Sequence, residues 1–390
     1  GMSLAAIFGL RMLGLFLIFP VFALYARDLP GGGNLTLVGL ALGAYGGTQA
    51  CLQILWGSAS DRWGRKPVIV AGLLLFALGS AVAALAPNIY WVIAGRVIQG
   101  AGAISAAVTA LAADLTREEH RTKVMAMIGA SISLVFAGSL VAAPILFSLI
   151  GMSGIFWLTG LLALGAIGVL LKVVPPAPPP VLGAPVSLAA VCMEPQLLRL
   201  NFGVFALHFT QTALWVLMPV ALIQHGGLPV NAHWQAYLPA VLISFVLMVP
   251  AVIAAEKKGR MKAVFMGAIS LLPLVMAGFY FAGQSLALLV FWLTLFFVAF
   301  NILEATQPSL ISRIAPPQAK GKALGLYNTL QAVGLFVGGF AGGALAQHLG
   351  NGAVFAACGA LSLVWLLLAR SLKAPQRKSA PSGAAPGAGG

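Results

Sequence analysis

Acidic side chains are scarce: Asp and Glu together number 8 in 390 residues, beside 5 His and 22 Lys and Arg. Asp28, Asp114, Glu118, Glu119, His120, His225, His233 and Glu256 fall in loops or at segment ends. They form no Ser/His/Asp arrangement and no histidine cluster, so the chain does not read as an enzyme. Cysteine is scarcer still. Cys51, Cys192 and Cys358 show neither CxxC nor metal-ligand spacing, which leaves no disulfide framework and no metal site. A Gly-x-x-x-x-Gly-Lys-Ser/Thr phosphate loop is missing too, and with it ATP as the direct energy source. No cofactor is expected.

Apolar residues are what the chain has in excess. They make up 60% of it, and charged residues only 8%, where an ordinary soluble domain is about a quarter charged. One water-soluble core cannot bury so much, so lipid must act as part of the solvent. Apolar spans fall near 4–26, 35–56, 68–86, 90–112, 122–149 and 153–173. Six more lie near 200–223, 233–255, 263–282, 286–312, 320–348 and 353–371. Each is long enough to cross a bilayer as a helix, the form that satisfies its own backbone hydrogen bonds. The first exceeds a signal-peptide core and is expected to be retained. The expected fold is an all-α membrane protein of twelve transmembrane helices.

The net charge of +14 sorts by loop. Even loops and the C-terminal tail hold nineteen of the 22 basic residues, odd loops only Arg27, and Arg11 and Arg96 lie within spans. Short loops rich in Lys and Arg stay in the cytoplasm, so both termini are expected there, in a bacterial inner membrane. The charge reports topology; a nucleic-acid partner is not expected.

A proline-rich stretch, "VVPPAPPPVLGAP", resists helix continuation and suits a semi-rigid linker. Domain limits follow: a bundle at 1–173, a cytoplasmic linker at 174–199, a second bundle at 200–372 and a disordered cytoplasmic tail at 373–390. The halves echo each other at offsets of 195 to 200 residues. "DRWGRK" at 61–66 answers "EKKGRM" at 256–261, and "FAGSLVAAP" at 136–144 answers "FVGGFAGGA" at 336–344. This is the mark of a duplicated six-helix unit, common among secondary transporters.

Polar residues inside a bilayer are costly, so their placement informs. Third, sixth, ninth and twelfth spans hold no Asn, Gln, His or charged residue until their ends, and read as lipid-facing. The others carry polar pairs three or four apart, on one helix face: Gln49 and Gln53, Arg96 and Gln99, His208 and Gln211, Asn301 and Glu304, Asn328 and Gln331. Singly these are interhelical hydrogen-bond glue worth about 0.6–2 kcal/mol. Repeated in both halves, they point to a central path for a small-molecule substrate.

"GSASDRWGRKP" at 57–67 resembles the signature Gly-x-x-x-Asp-Arg-x-Gly-Arg-Arg/Lys of the major facilitator superfamily. "RVIQG" at 96–100 is similar to its fourth-helix motif in proton-linked members. "GSLVAAP" at 138–144 resembles its antiporter motif, with Ala143 where the pattern has Gly. The likeness covers 4–372 and is closest to the YajR branch of the drug:proton antiporter families, in segments such as "LTREEHRTK" and "LLRLNFG". It implies two pseudo-symmetric bundles, alternating access, and proton-coupled efflux of a small amphipathic molecule. A uniporter or proton symporter of a polar solute remains the alternative; a non-transporting receptor or scaffold would show no flux in proteoliposomes.

Site expectations follow from residues and resemblance together. Gly57 and Gly64 suit a close-packed turn, and Arg62, Arg65 and Lys66 hold the loop on the cytoplasmic side. Asp61, which orientation does not need, is implied to meet the start of the eleventh helix, and Arg65 to pair with Asp114, as a gating latch. Glu304 is the only acid well inside a span, so it is the candidate proton carrier, with His208 second. Arg11, Arg96, Gln49, Gln53, Gln99, Gln211, Asn301, Asn328 and Gln331 are candidate cavity residues, with Phe16, Trp215 and Tyr327 as aromatic lining. No interface between copies is expected, so the chain reads as a monomer whose partners are substrate, protons and the lipid bilayer.

Overall fold

The computed structural model describes residues 2–102, 104–115, 118–175, 193–282, 285–316 and 319–373. The proline-rich run and the C-terminal tail lie outside the described residues, as do the side chains of Arg11 and Asp61. Ten of the described helices are apolar and long enough to span a bilayer, and Met12–Ala26 adds a shorter apolar one.

Residues α1 (Met2–Phe16) and α2 (Phe19–Ala26) form the first span. It breaks there because Pro20 has no N–H to offer the Phe16 carbonyl. After α3 (Leu35–Trp63) and α4 (Arg65–Ala84) comes a second broken span, α5 (Ile89–Ala101) and α6 (Ser105–Asp114). The indole of Trp56 donates to Ala101 O at 2.6 Å and so satisfies a carbonyl that the break frees. The run α7 (Glu118–Lys172) is two spans, divided at Gly151 with φ 66. That makes six. The second six are α8 (Pro195–Gln224), α9 (Trp234–Lys257), α10 (Met261–Phe281), α11 (Leu286–Ile314), α12 (Lys320–Leu349) and α13 (Asn351–Ala369).

Two expectations need correction. The turn expected at 57–67 shrinks to Gly64 alone, at φ 91, because α3 stays helical through Trp63; Gly57 is a helix residue facing Ala106. The helix placed at 200–223 starts earlier. Pro195 suits its first turn, and the Glu194 carboxylate accepts from Leu197 N at 2.7 Å.

The duplication has a physical signature. Lys66 Nζ donates to Val174 O at the end of the sixth span, and Lys262 Nζ donates to Arg370 O at the end of the twelfth. Each reaches 108 residues ahead to a helix-terminal carbonyl, where a cation is favoured.

The halves meet most closely along α3 and α12, toward the end that carries the odd loops. A Cβ on Gly39 would run into the Gly339 carbonyl, and one on Gly343 into the Leu35 carbonyl. Such backbone contact is what small residues allow between membrane helices. Leu35 N adds a 2.8 Å hydrogen bond to Gln347 Oε1. At the even-loop end a Cβ on Gly321 or Gly325 of α12 would meet nothing within 4 Å. Among the described residues the halves are in close contact at one end and stand apart at these glycines of the other.

Gly339→Val should therefore prop the odd-loop end apart. A cysteine placed at Phe16 should react faster with a thiol reagent applied from that end than in the Gly339 background; an unchanged rate would show that the glycine contact does not hold this end closed.

Candidate functional site

Arg96 of α5 is 1% exposed. Its Nε donates to Ala41 O at 3.3 Å and its Nη1 to Gln99 Oε1 at 2.8 Å, and it lies 5.3 Å from the Tyr45 ring centroid. Gln99 Nε2 in turn donates to Ser80 Oγ at 2.8 Å, and Thr159 Oγ1 to the same oxygen at 3.1 Å. The spacing of three does put Arg96 and Gln99 on one face, but that face packs on α3, α4 and the second part of α7. The network is closed on itself.

The second half is arranged differently. His208 of α8 points Nδ1 at Val204 O, 3.0 Å away, which commits that nitrogen to carrying its proton. Its Nε2 lies 2.7 Å from Gln331 Nε2 of α12 and 3.3 Å from Glu304 Oε1 of α11. Three helices thus converge on one ring nitrogen. Glu304 keeps 27% of its side chain exposed, while His208 keeps 4%. Nearby, Tyr327 Oη donates to Gln307 Oε1 at 3.3 Å, and Asn301 Nδ2 to Ser244 Oγ at 2.9 Å.

Aromatic rings adjoin this cluster. Phe300 lies 5.8 Å from the His208 ring and 5.8 Å from Phe136 of α7. Phe136 also meets Phe16 edge-on at 5.1 Å. Rings from both halves therefore touch beside Glu304. Trp215 continues the layer toward the odd-loop end, 6.5 Å from Phe297 and 5.8 Å from Tyr237.

Of the remaining candidates, Gln49 and Gln53 are buried and bond weakly to each other at 3.4 Å. Gln211 is buried and Asn328 half-buried. Arg65 Nε meets Asp114 Oδ2 at 2.8 Å and its Nη1 meets Ser60 Oγ at 2.7 Å, while Arg62 is exposed. At the same end of the second half, Glu256 pairs with Arg313 and accepts from Ser309 Oγ at 2.8 Å. A groove of about 760 Å³ between α9 and α11 is apolar and outward-facing, lined by Leu247 and Phe291 among others, and lies apart from the polar cluster. Sequence reasoning missed Gln307, three residues after Glu304 and so on its face, and Phe136, which opens the "FAGSLVAAP" segment and was readable only as packing.

Twelve spans in two repeated sets, closed at one end around a buried polar cluster, define a membrane carrier. The chain belongs to the Major Facilitator Superfamily, whose model it matches over residues 4–338 and 200–389. It is 43% identical to "Inner membrane transport protein YajR" of Escherichia coli (strain K12), over 96% of this chain and 83% of that one. It is 29% identical to "Multidrug resistance protein MdtH" of Aeromonas salmonicida (strain A449), over 87% of this chain and 85% of that one. In fold it resembles a D-xylose-proton symporter, with TM-score 0.75 and 16% identity over 95% of this chain and 97% of that one. It is a multi-pass membrane transporter and not an enzyme.

Arg96→Met would strand the buried Gln99 side-chain oxygen, at about 1–3 kcal/mol for a group left unsatisfied. Thermal unfolding of the purified chain should show R96M clearly destabilised. Wild-type unfolding in R96M would mean that the network is not architectural.

Proposed function

We propose that the chain exports small amphipathic molecules across a bacterial inner membrane in exchange for protons, its bundles 1–173 and 200–372 rocking about the central cluster. The carrying observation is the contact between Glu304 Oε1 and His208 Nε2 at 3.3 Å. With Nδ1–H committed to Val204, the Nε2 lone pair and a bare carboxylate repel one another. One proton between them removes the conflict, as imidazolium with carboxylate or as imidazole with carboxylic acid. The pair is thus a holder for a single proton.

Gln331 supplies the alternative. When the proton leaves, the amide N–H can still donate to Nε2 while Glu304 turns to the cavity, where its side chain is already partly exposed. A carboxylate that changes partner between two states binds its proton differently in each, which coupling requires. The rings of Phe16, Phe136 and Phe300 give an apolar, adaptable wall for an amphipathic substrate. The likeness to "Multidrug resistance protein MdtH" supports a range of drug-like substrates. Positive-inside charge supports cytoplasmic termini, which makes the open end the inward one. Asp61, Arg65 and Asp114 then belong to the inner gate.

Two experiments follow. Glu304→Gln should abolish accumulation driven by an imposed pH gradient and leave counterflow exchange measurable; gradient-driven accumulation by E304Q would remove Glu304 from the coupling step. For the gate and its orientation, Asp61→Asn should insert normally and transport slowly, and a cysteine at position 64 should resist an impermeant thiol reagent in intact spheroplasts. Wild-type flux in D61N, or labelling at 64, would count against the inner gate.

A further inference from the structure

Among the described residues around Glu304, one donor and one acceptor are unanswered. Gln307 of α11 is 0% exposed, and its Nε2 is buried without an acceptor. Glu304 Oε1 is buried without a donor, although His208 Nε2 lies 3.3 Å away, since with the ring proton on Nδ1 that nitrogen carries no hydrogen. A buried amide N–H and a buried carboxyl oxygen are each costly while unpaired. These two belong to residues one turn apart on the same helix.

Helix geometry brings them together. Residues three apart share a face, and side chains lean toward the helix N-terminus, so Gln307 lies over the turn that carries Glu304. Tyr327 of α12 sets which end of the amide is presented. Its Oη donates to Gln307 Oε1 at 3.3 Å, which occupies the carbonyl and leaves the Nε2–H groups for another partner. Tyr327 is itself within electrostatic reach of Glu304.

The other donors nearby are committed. His208 Nδ1 is held by Val204 O, Gln331 Nε2 by His208 Nε2, and Asn301 Nδ2 by Ser244 Oγ. The lysines and arginines on the helices packed against α11, and on α11 itself, stand at the even-loop ends: Arg199, Lys257, Lys262, Arg313 and Lys322. Glu256 is there too, paired with Arg313. Tyr237, Tyr280, His225, His233 and His348 belong to the odd-loop ends. Among the described residues, His208 and Tyr327 are therefore the titratable groups that face Glu304. An ionised Glu304 has no lysine or arginine to meet, and one uncharged donor beside it is free.

We infer that Gln307 is a positioning residue for the coupling step: its Nε2, aimed by the Tyr327 hydroxyl, takes the Glu304 carboxylate once that carboxylate leaves His208. The inference rests on the reading of Glu304 as the proton carrier. In this step the proton goes to the cavity, while His208 keeps Nδ1–H and accepts from Gln331. The carboxylate then turns one oxygen to Gln307 Nε2–H and keeps the other toward the cavity. A hydrogen bond to an ionised acceptor is about twice as strong as a neutral one, so the amide favours release. It has no proton of its own to exchange, and steadies the ion without competing for what Glu304 carries.

The test follows the infrared band of the protonated Glu304 carboxyl against pH in the reconstituted full chain. Q307M keeps the side-chain length and removes the donor. Its midpoint should move to higher pH by about one to two units, because an ion deprived of a hydrogen bond forms less readily. Y327F, which frees the amide to turn, should move it the same way by less. Should Q307M fail to fold, Q307N replaces it with the same expectation, its amide being too short to span from Tyr327 to Glu304. If Gln307 only ties α11 to α12, the variants lose thermal stability and keep the wild-type midpoint, which would overturn the inference. A shift in Y327F with none at Gln307 would overturn it as well, since the phenol would then act without the amide. If no band titrates, or one persists in E304Q, Glu304 is not the carrier and both readings fall. A band that titrates in wild type and stays put in Q307M removes Gln307 alone.

Discussion

A hydrocarbon surround offers no hydrogen bonds, so every polar group between the membrane faces must be answered from inside the chain. Much of this structure follows from that one demand. Where Pro20 and Gly102 interrupt the first and fourth spans, the breaks lie inside the bundle. There the Trp56 indole can reach the Ala101 carbonyl. Where helices end, Lys66 and Lys262 cover the last carbonyls. Buried Arg96 is bonded by Gln99 and by α3 carbonyls.

The same demand divides labour between two halves of shared ancestry. In the first, Arg96, Gln99, Ser80 and Thr159 bond one another in a chain. In the second, His208, Glu304 and Gln331 compete for one ring nitrogen, an arrangement that changes with the number of protons present. The halves touch through glycine backbones at the closed end, where contact has no side chains to rearrange, and they part at the other. In the proposed cycle, rocking such halves exposes Glu304 to one face and then the other, with the aromatic layer of Phe16, Phe136 and Phe300 opening as they separate.

Much of the fold was legible because lipid enforces simple patterns. Span length, the sorting of basic loops and the 195–200 residue echo all survive in composition. Glu304 was legible because an acid inside an apolar span is rare, and its spacing from Asn301 and the pairing of His208 with Gln211 marked faces. What those faces meet was not legible. Arg96 and Gln99 carry the same spacing, yet their partners Ser80 and Thr159 are small hydroxyls in spans that otherwise read as plain lipid-facing helix. Gln331 meets His208 across 123 residues, and no local pattern reports such a contact. Gly57 misled for a different reason. Glycine inside a helix and glycine in a turn look alike until packing shows that α3 continues to Trp63.

The proposed function rests on one proton shared by Glu304 and His208. Infrared difference spectroscopy on the reconstituted chain, stepped across pH, reads the carbonyl band of a protonated carboxyl directly, with E304Q to assign it. One band should come and go with pH, vanish in E304Q and change its titration midpoint in H208Q. A band indifferent to H208Q, or still present in E304Q, would contradict a proton held between these two side chains.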